Sequence, residues 1–600
     1  MRSLSSLPNK IFTAIIILTL VLVVLPASPA FAASITVNTT IDENTNNANC
    51  SLREAIIAAN NNASHNGCIY TGSDPDDVIT LTSGSTYMLS IVGEDADEGD
   101  LDVGNALGTS GNLTIQASGA TNAIIDANDI NRVIELDSPA PISLTLVHIT
   151  VTNGNSPDGA GIYAGGNHTL TLMNSTVSSN VATGADNCGA GIYDVDDGNI
   201  SVINSTIADN TCTGTGADGG GIYKGGGGSL IIANSTFYNN SVTDNGGGVR
   251  IVMTSGTATI TNSTFVNNVA GSKGGGLQVN NGSVTVEFST FSGNAANTIN
   301  PSAGGAVQAD GGSVSVVRSI LANSTAGLDC DQLAPGTVSL TNSLVENNSD
   351  CLGTITSSAD PGLGALSDNG GPTQTMAITT SSPAFDAALT CASTTTDQRG
   401  VSRPQSVHCD IGAYELEPTF EDVPFDYWSW SYIEGLYNAG VTAGCGSGNF
   451  CPTTTVTRDQ MAVFLLRGKH GSSYSPPLPS GVFGDIPTDH WAAAWIERLA
   501  AEGITSGCGS GNYCPTLPVT RDQMAVFLLR AKHGSAYSPP AASGVFGDVP
   551  TDHWAAPWIE QLAAEGITAG CGNGNYCPAT PVTRDQMAVF LVRTFNLPTP

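Results

Sequence analysis

Apolar and polar residues alternate in short runs through the first two-thirds of the chain, as in Leu170-Thr-Leu172 and Val284-Thr-Val286. That is the period of a strand with one face buried. The runs fall in a repeating frame. Asn174-Ser-Thr-Val, Asn204-Ser-Thr-Ile, Asn234-Ser-Thr-Phe and Asn262-Ser-Thr-Phe recur at spacings of 30, 30 and 28 residues, and Phe288-Ser-Thr-Phe, Arg318-Ser-Ile-Leu and Asn342-Ser-Leu-Val continue the series more weakly. A second column holds Asn180, Asn210, Asn240, Asn268, Asn294 and Asn348, and a third sets Gly161, Gly191, Gly221, Gly248 and Gly276 each before an apolar residue. Short units with three strands and Asn/Gly turns cannot bury their own apolar faces, so they must stack coil on coil with like above like. Asparagine in one column then forms a hydrogen-bonded ladder, and glycine in another accommodates left-handed turns. The pattern predicts a parallel β-helix over residues 70–360, with about seven to nine coils. A leucine-rich solenoid lacks its leucine pattern here, and a propeller needs about 40 residues per blade. The Asn-Ser-Thr triplets are also glycosylation sequons, but their fixed phase with the strands assigns them to the ladder.

The last third reads one unit three times at a period of 63 residues, with Cys445, Cys508 and Cys571 in step. In the second copy Asp489 is expected to cap a helix carrying Trp491, Trp495, Ile496 and Leu499 on one face, and Gly503 to stop it. Thr520-Arg-Asp-Gln523 has the pattern of a capping box opening a second helix that buries Met524, Phe527 and Leu528. Between them lies Cys508-Gly-Ser-Gly-Asn-Tyr-Cys514. A disulfide across a glycine turn, stabilising by about 2 kcal/mol, is the simplest reading of that pair. The rival is zinc, which the loop disfavours by having no histidine and no second cysteine pair. Tandem copies at a chain terminus suggest an attachment module, since repetition multiplies weak contacts. The segments Gly471 to Ser480 and Gly534 to Ser543, rich in Ser and Pro, read as linkers between copies.

These repeats resemble the S-layer homology (SLH) domain through Phe483-Gly-Asp-Ile-Pro, the Trp-containing helix, Gly503-Ile-Thr-Ser-Gly and Val519-Thr-Arg-Asp-Gln. The copies span 418–475, 481–538 and 544–600. The resemblance implies a compact three-fold helical module that binds cell-envelope polysaccharide. In the family tetrapeptide Thr-Arg-Ala-Glu the Arg contacts glycan, a role that falls by position on Arg458, Arg521 and Arg584, with Trp428, Trp491 and Trp554 beside them. This chain has Asp-Gln for Ala-Glu, and a Cys-bounded loop where the family has Gly-Tyr-x-Asp-Gly. A positive charge at a helix N-terminus opposes the macrodipole, so its threefold repetition argues for function.

Composition fixes the address. Arg2 and Lys10 precede an apolar run from Ile11 to Leu25, and Ala30-Phe31-Ala32 offers a cleavage site, so residues 1–32 read as a signal peptide. The apolar run is short of the roughly 20 residues of a membrane span, and no second transmembrane segment appears. The 14 cysteines all follow the cleavage site and lie as near neighbours: Cys50 with Cys68, Cys188 with Cys212, Cys330 with Cys351, Cys391 with Cys409, and Cys445, Cys508 and Cys571 with Cys451, Cys514 and Cys577. Local pairing in an oxidising compartment suits disulfides. The formal net charge is −33, or −35 once Arg2 and Lys10 leave with the signal. So acidic a chain argues against nucleic acid and anionic lipid as partners. The expected location is the surface or wall of a bacterium.

The solenoid resembles right-handed pectate-lyase-like β-helices, making the fold class mainly β with a small α-helical tail. At its start Ser34-Ile-Thr-Val-Asn leads to Cys50-Ser-Leu-Arg-Glu-Ala55, the name-giving motif of the CSLREA domain, and Leu52, Ala55, Ile56 and Ala59 suit a short helical lid over 33–69. At its end Asp368-Asn-Gly-Gly-Pro, Ser382-Pro-Ala-Phe-Asp-Ala, Asp397-Gln-Arg-Gly and Cys409-Asp-Ile-Gly-Ala-Tyr-Glu415 resemble the choice-of-anchor region, placed at 361–417 as the second cap. Neither resemblance implies a reaction. Candidate chemistry is sparse. The loop from Glu94 to Asp102 offers Asp95, Asp97, Asp100 and Asp102 as calcium ligands, and no other cofactor is expected. Asp194, Asp196 and Asp197 form a second acidic group. Lys224, Arg250, Lys273 and Arg318 read as surface charges, and His148 and His168 as turn or surface residues. No Ser/His/Asp set, metal-ligand run or phosphate loop occurs. Two functions remain. One is a surface protein whose tail docks to envelope polysaccharide or an S-layer, with the β-helix as a stalk or a face for a glycan or protein. The alternative is a wall-tethered polysaccharide lyase or glycosidase acting along the solenoid.

Overall fold

The computed structural model describes residues 32–72, 74–93, 99–104, 111–136, 138–296, 303–348, 351–391 and 394–600. The leader up to residue 31, and Asp95 and Asp97, lie outside the described residues. A first compact unit ends at Glu415, and a second comprises Leu416–Pro600 together with Gln405–Val407.

The first unit is a β-solenoid of about eight turns. Its coil strands lie in parallel sheets, one of 21 strands, one of nine and one of six, and a two-stranded antiparallel pair, Leu366–Ser367 with Thr375–Met376, follows. In the large sheet, Leu144, Leu170, Ile200, Leu230, Ala258, Val284, Val314 and Val338 stack in one inward column. All of these are buried. Deeper in the same core Phe237, Phe265 and Phe291 stack with ring centroids 4.7 and 4.4 Å apart. Every coil thus supplies what the next one needs to bury its apolar side.

The second asparagine column is the ladder. Asn180, Asn210, Asn240, Asn268 and Asn294 are fully buried, and each side-chain amide donates to the next Oδ1 at 2.9 Å. Asn348 leaves the ladder, because its side chain pairs with Cys351 instead. The Asn of Asn-Ser-Thr does something else, against expectation. Asn174, Asn204, Asn234 and Asn262 have φ between 46 and 51° and turn the corner between strands. Asparagine tolerates this left-handed geometry better than other side chains. The serine that follows is the second ladder: Ser175, Ser205, Ser235, Ser263, Ser289 and Ser319 each donate their backbone N–H to the hydroxyl of the serine one coil on, at 3.0–3.2 Å. The glycine column also shifts. Left-handed φ falls on Gly159, Gly189, Gly219, Gly246 and Gly274, two residues before the predicted set. At Gly161 a side chain would meet Gly191 O at 2.5 Å, so that column is glycine for close approach rather than for handedness.

At the start of the solenoid, helix α1 (Leu52–Asn61) opens with a capping box between Ser51 and Glu54. It buries Leu52, Ala55, Ile56 and Ala59. Its Arg53, also buried, grips Asp42 through two hydrogen bonds of 2.7 and 3.1 Å. At the other end, the segment expected to cap the solenoid runs back along its flank. Gln398 bonds Thr236 and Thr264, Thr373 bonds Asn234, and Thr290 receives the N–H of Ala413. Hydroxyl columns left open by the coil stacking supply the partners. Seven disulfides join the fourteen cysteines as the neighbouring pairs named above.

The basic residues of the coils are not free surface charges. Lys224 Nζ lies 3.0 Å from Asp194, Arg250 lies 3.2 Å from Asp218, and Lys273 and Arg318 pair with Asp310 and Glu287. The Asp194–Lys224 pair stands in an inward column otherwise held by Ile251, Val279 and Ala309. Both members are fully buried. His168 is buried too, its Nδ1 accepting the Ile142 N–H at 3.3 Å, whereas His148 takes a turn at φ 54°.

Burial pushes the Asp194 carboxyl up to about 6, although Lys224 opposes the shift. A carboxylate raised on folding favours the native state below its unfolded value, and that contribution is lost as pH rises through about 6. We therefore expect the melting temperature to respond to pH between 7.5 and 5 with an upward component from this site. The double variant Asp194→Leu/Lys224→Met should lose that component and remain folded. Asp194→Leu alone, which strands a buried ammonium, should cost about 3–5 kcal/mol. Calorimetry across that range checks both.

The second unit contains six helices: α2 (Trp430–Asn438), α3 (Arg458–His470), α4 (Ala493–Ala501), α5 (Arg521–His533), α6 (Ala556–Ala564) and α7 (Arg584–Phe595). The three repeats close into a ring. Val519 N–H donates to Val456 O, Val456 N–H to Val582 O, and Val582 N–H to Val519 O, each at 2.9 Å. Ile433, Leu465, Ile496, Leu528, Ile559 and Leu591 share one core around it.

Two helix starts differ from expectation. Asp489 does not cap α4, whose first turn follows a bend in which Ala492 N–H donates to His490 Nδ1. Trp491 consequently lies before the helix and is 60% exposed. At α5, Thr520 makes no cap bond to the backbone. Its hydroxyl donates to Asp522 instead, and that carboxylate accepts the Gln523 N–H at 2.7 Å. An Asp two residues on has taken over the capping role, which accounts for Asp in the tetrapeptide.

Candidate functional site

The site is built where one repeat meets the next. Arg458, Arg521 and Arg584 open α3, α5 and α7 and are only 4–6% exposed. Each reaches out of its own repeat. Arg458 Nε donates to Tyr513 O at 2.8 Å, Arg521 Nε to Tyr576 O at 2.8 Å, and Arg584 Nε to Phe450 O at 2.7 Å. Each guanidinium lies over the ring of that same residue, 4.7–4.8 Å from the centroid. Phe527, Phe590 and Phe464 flank the other side at 5.5–5.6 Å. The arrangement combines hydrogen bonding with cation–π contact on a charge largely removed from water. Burial pulls all three guanidinium pKa values below their ordinary value, and nearby carboxylates work against it: Asp485 at Arg458, Asp548 at Arg521 and Asp422 at Arg584.

In front of Arg458 lies a groove of about 360 Å³. Its walls come from all three repeats: Arg458, then the turn Thr505–Cys508 with Gln523, Phe527 and Arg530, then Trp554. Arg458 Nη2 and Arg530 Nε are buried behind the wall without a hydrogen-bond partner, while Thr505, Ser506 and Gln523 line the groove with polar side chains. Arg530 also lies over the Trp558 ring at 5.4 Å. Trp428, Trp491 and Trp554 are each 60% exposed. The groove therefore presents donors on an aromatic floor, a setting suited to an oxygen-rich ligand with an apolar face.

The junctions are not identical. Tyr427 and Trp428 both donate to Asp585, at 2.9 and 3.3 Å. In the other two junctions His490 and His553 stand 3.9 Å from Asp459 and Asp522. Arg521 Nη2 is satisfied by Gly570 O at 3.0 Å, whereas Arg584 Nη2 has no partner.

The structure thus gathers Arg458 and Trp554 into one groove, from the first and third repeats. Gln523 was read from sequence only as a member of a capping box and Arg530 was not singled out, although Gln460, Gln523 and Gln586 and Arg467, Arg530 and Arg593 recur at the same period. Of the calcium ligands, Asp100 and Asp102 meet Glu135 in a three-carboxylate group. Arg132 lies 3.3 Å from Asp100 and pairs with Glu135, Asp158 adding a further carboxylate at 3.7 Å. Burial nevertheless raises the Asp100 carboxyl above its usual range.

Two family models match. The S-layer homology domain matches residues 419–462, 482–525 and 545–588. The tail carries three matches to the SLH domain. The right handed beta helix region matches residues 134–316 and gives the solenoid its hand. A solved structure, pectate lyase Pel9A, aligns with TM-score 0.35 and 14% identity over 65% of this chain and 98% of its own. An endoglucanase of Bacillus sp. (strain KSM-635) is 30% identical over 28% of this chain and 18% of its own length. S-layer protein sap of Bacillus anthracis is 27% identical over 29% of this chain and 21% of its own. A cell surface protein of Thermoanaerobacter kivui is 34% identical over 19% of this chain and 15% of its own. The chain spans about a fifth or less of the length of these three relatives.

Proposed function

We propose that the chain is a bacterial cell-surface protein held non-covalently to envelope polysaccharide by its three SLH domains. The β-helix serves as a rigid stalk or adhesive face. The observation that carries this reading is the groove: arginine, glutamine and hydroxyl side chains set against exposed tryptophan, at a junction of a closed three-fold ring. Surface and S-layer proteins among the similar proteins support the same address. Residues 1–32 act in this reading as the export leader, 33–69 as a CSLREA-type start, and 361–417 as a choice-of-anchor segment.

The lyase or glycosidase alternative has less support. Arg132, Lys224, Arg250, Lys273 and Arg318 are each engaged by a carboxylate, and Lys224 is fully buried. A base or acid for catalysis must reach the substrate.

Trp554 gives the direct test, because its exposure means that replacing it leaves the fold intact. Trp554→Ala should weaken binding to purified envelope polysaccharide about tenfold, with the melting temperature unchanged. Titration calorimetry checks this. Unchanged affinity would remove the groove from the account.

A further inference from the structure

The cysteines of the tail have a placement that the three-fold ring makes informative. Each disulfide closes a six-residue step: Cys445–Cys451, Cys508–Cys514 and Cys571–Cys577. Inside each step the chain folds back on itself, with Cys508 N–H donating to Asn512 O at 2.8 Å and Asn512 N–H to Gly509 O at 3.0 Å. The second cysteine of each step is held in the left-handed region, at φ 58, 61 and 60° for Cys451, Cys514 and Cys577. A non-glycine residue keeps such a conformation only where its surroundings fix it.

A carboxylate supplies the second restraint. Asp485 accepts the N–H groups of Tyr513 and Cys514 at 2.7 and 2.6 Å. Asp548 does the same for Tyr576 and Cys577, both at 2.7 Å, and Asp422 for Phe450 and Cys451, both at 2.7 Å. The peptide so clamped carries the carbonyl that receives an arginine from another repeat. Tyr513 O takes Arg458 Nε, Tyr576 O takes Arg521, and Phe450 O takes Arg584. In two of the three junctions the tyrosine hydroxyl returns a bond to the arginine's own backbone oxygen at 2.7 Å.

We propose that each disulfide-closed loop, with its Asp clamp, is a positioning element for the groove arginine of the preceding repeat in the ring. The proposal rests on the groove reading for its consequence in binding, but not for its geometry. The dependence crosses repeats. Opening Cys508–Cys514 in the second repeat should release Arg458 of the first, and should leave Arg521, in the same repeat as the broken disulfide, in place. A disulfide that merely stabilised its own repeat would not produce that pattern. The released arginine would then have to be immobilised at binding, at a cost in affinity.

The test uses the exported full chain labelled with ¹⁵N-arginine. The variants are Cys508→Ser/Cys514→Ser and, leaving the disulfide intact, Asp485→Ala. Hydrogen exchange at Arg Nε–H reports the carbonyl contact without any ligand. The expected result is about tenfold or greater loss of protection at Arg458, with Arg521 and Arg584 unchanged. Affinity for purified envelope polysaccharide should fall by a similar factor. Protection at Arg458 unchanged from the unaltered chain in both variants would overturn the proposal, as would equal loss at all three arginines, which would mean general unfolding. If the unaltered chain binds no polysaccharide, the groove reading fails while the exchange experiment still decides the positioning claim.

Discussion

Replacing Asn240 by Ala should destabilise the solenoid by about 3–5 kcal/mol, as much as stranding the buried Lys224 ammonium. Asn240 is fully buried. Its amide donates to Asn268 Oδ1 and Ile207 O, both at 2.9 Å, and its Oδ1 accepts the Asn210 N–H and side-chain amide at 3.2 and 2.9 Å. Alanine would remove these four bonds at once. It would also leave the Asn210 amide and the Ile207 and Asn268 oxygens in a dry interior, where an unpaired polar group costs more than the net worth of its bond. Asn234→Ala, one corner away in the same coil, should cost only about 1 kcal/mol, chiefly for a left-handed turn without asparagine. Urea titrations of the two variants compare them directly. Equal costs would mean that the ladder contributes no more than the turn.

Deleting residues 544–600 should unfold the two SLH domains that remain. The ring closes through Val582, which accepts from Val456 and donates to Val519. The third repeat also supplies Tyr576 O to Arg521 and takes Phe450 O for Arg584. Without it, Arg521 loses its acceptor and ring stacking, and the shared core loses Ile559, Met587 and Leu591. Three small units of this kind have no separate cores to fall back on. Circular dichroism of the truncated chain should show the helical signal lost, with the β signal of the solenoid kept. A truncated tail that melts cooperatively near the temperature of the full chain would refute the ring as the basis of stability.

Both expectations depend on register, which explains what was legible in the sequence. The alternation of Leu170 and Leu172 with polar neighbours has a period of two and reports a strand without help from the rest of the chain. The recurrence at 30 residues then gives the coil, and with it the Asn180–Asn294 ladder. The triplet was harder. Asparagine serves both ladders and left-handed corners, so Asn174 and Asn180 look alike until φ is known, and the serine beside Asn174 is hidden inside a sequon.

Ion pairs were illegible for a different reason. Asp194 and Lys224 are thirty positions apart and meet only because their strands pair in register. Nothing within either coil marks them. In the tail, the helices followed from apolar spacing, while their caps did not, because Thr520 gives its hydroxyl to Asp522 rather than to the backbone. The groove was half-readable. Arg458 and Trp554 could be singled out by resemblance, but their meeting requires a ring closed by the third repeat on the first, and no pattern inside one repeat encodes closure.

The central claim is that the SLH domains attach this chain to envelope polysaccharide. Co-sedimentation of the full chain with purified bacterial walls, before and after chemical removal of the non-peptidoglycan polysaccharide, tests it most directly. The account predicts that the chain pellets with intact walls, stays in solution with stripped ones, and is released from intact walls by added free polysaccharide. Equal pelleting with intact and stripped walls would contradict it.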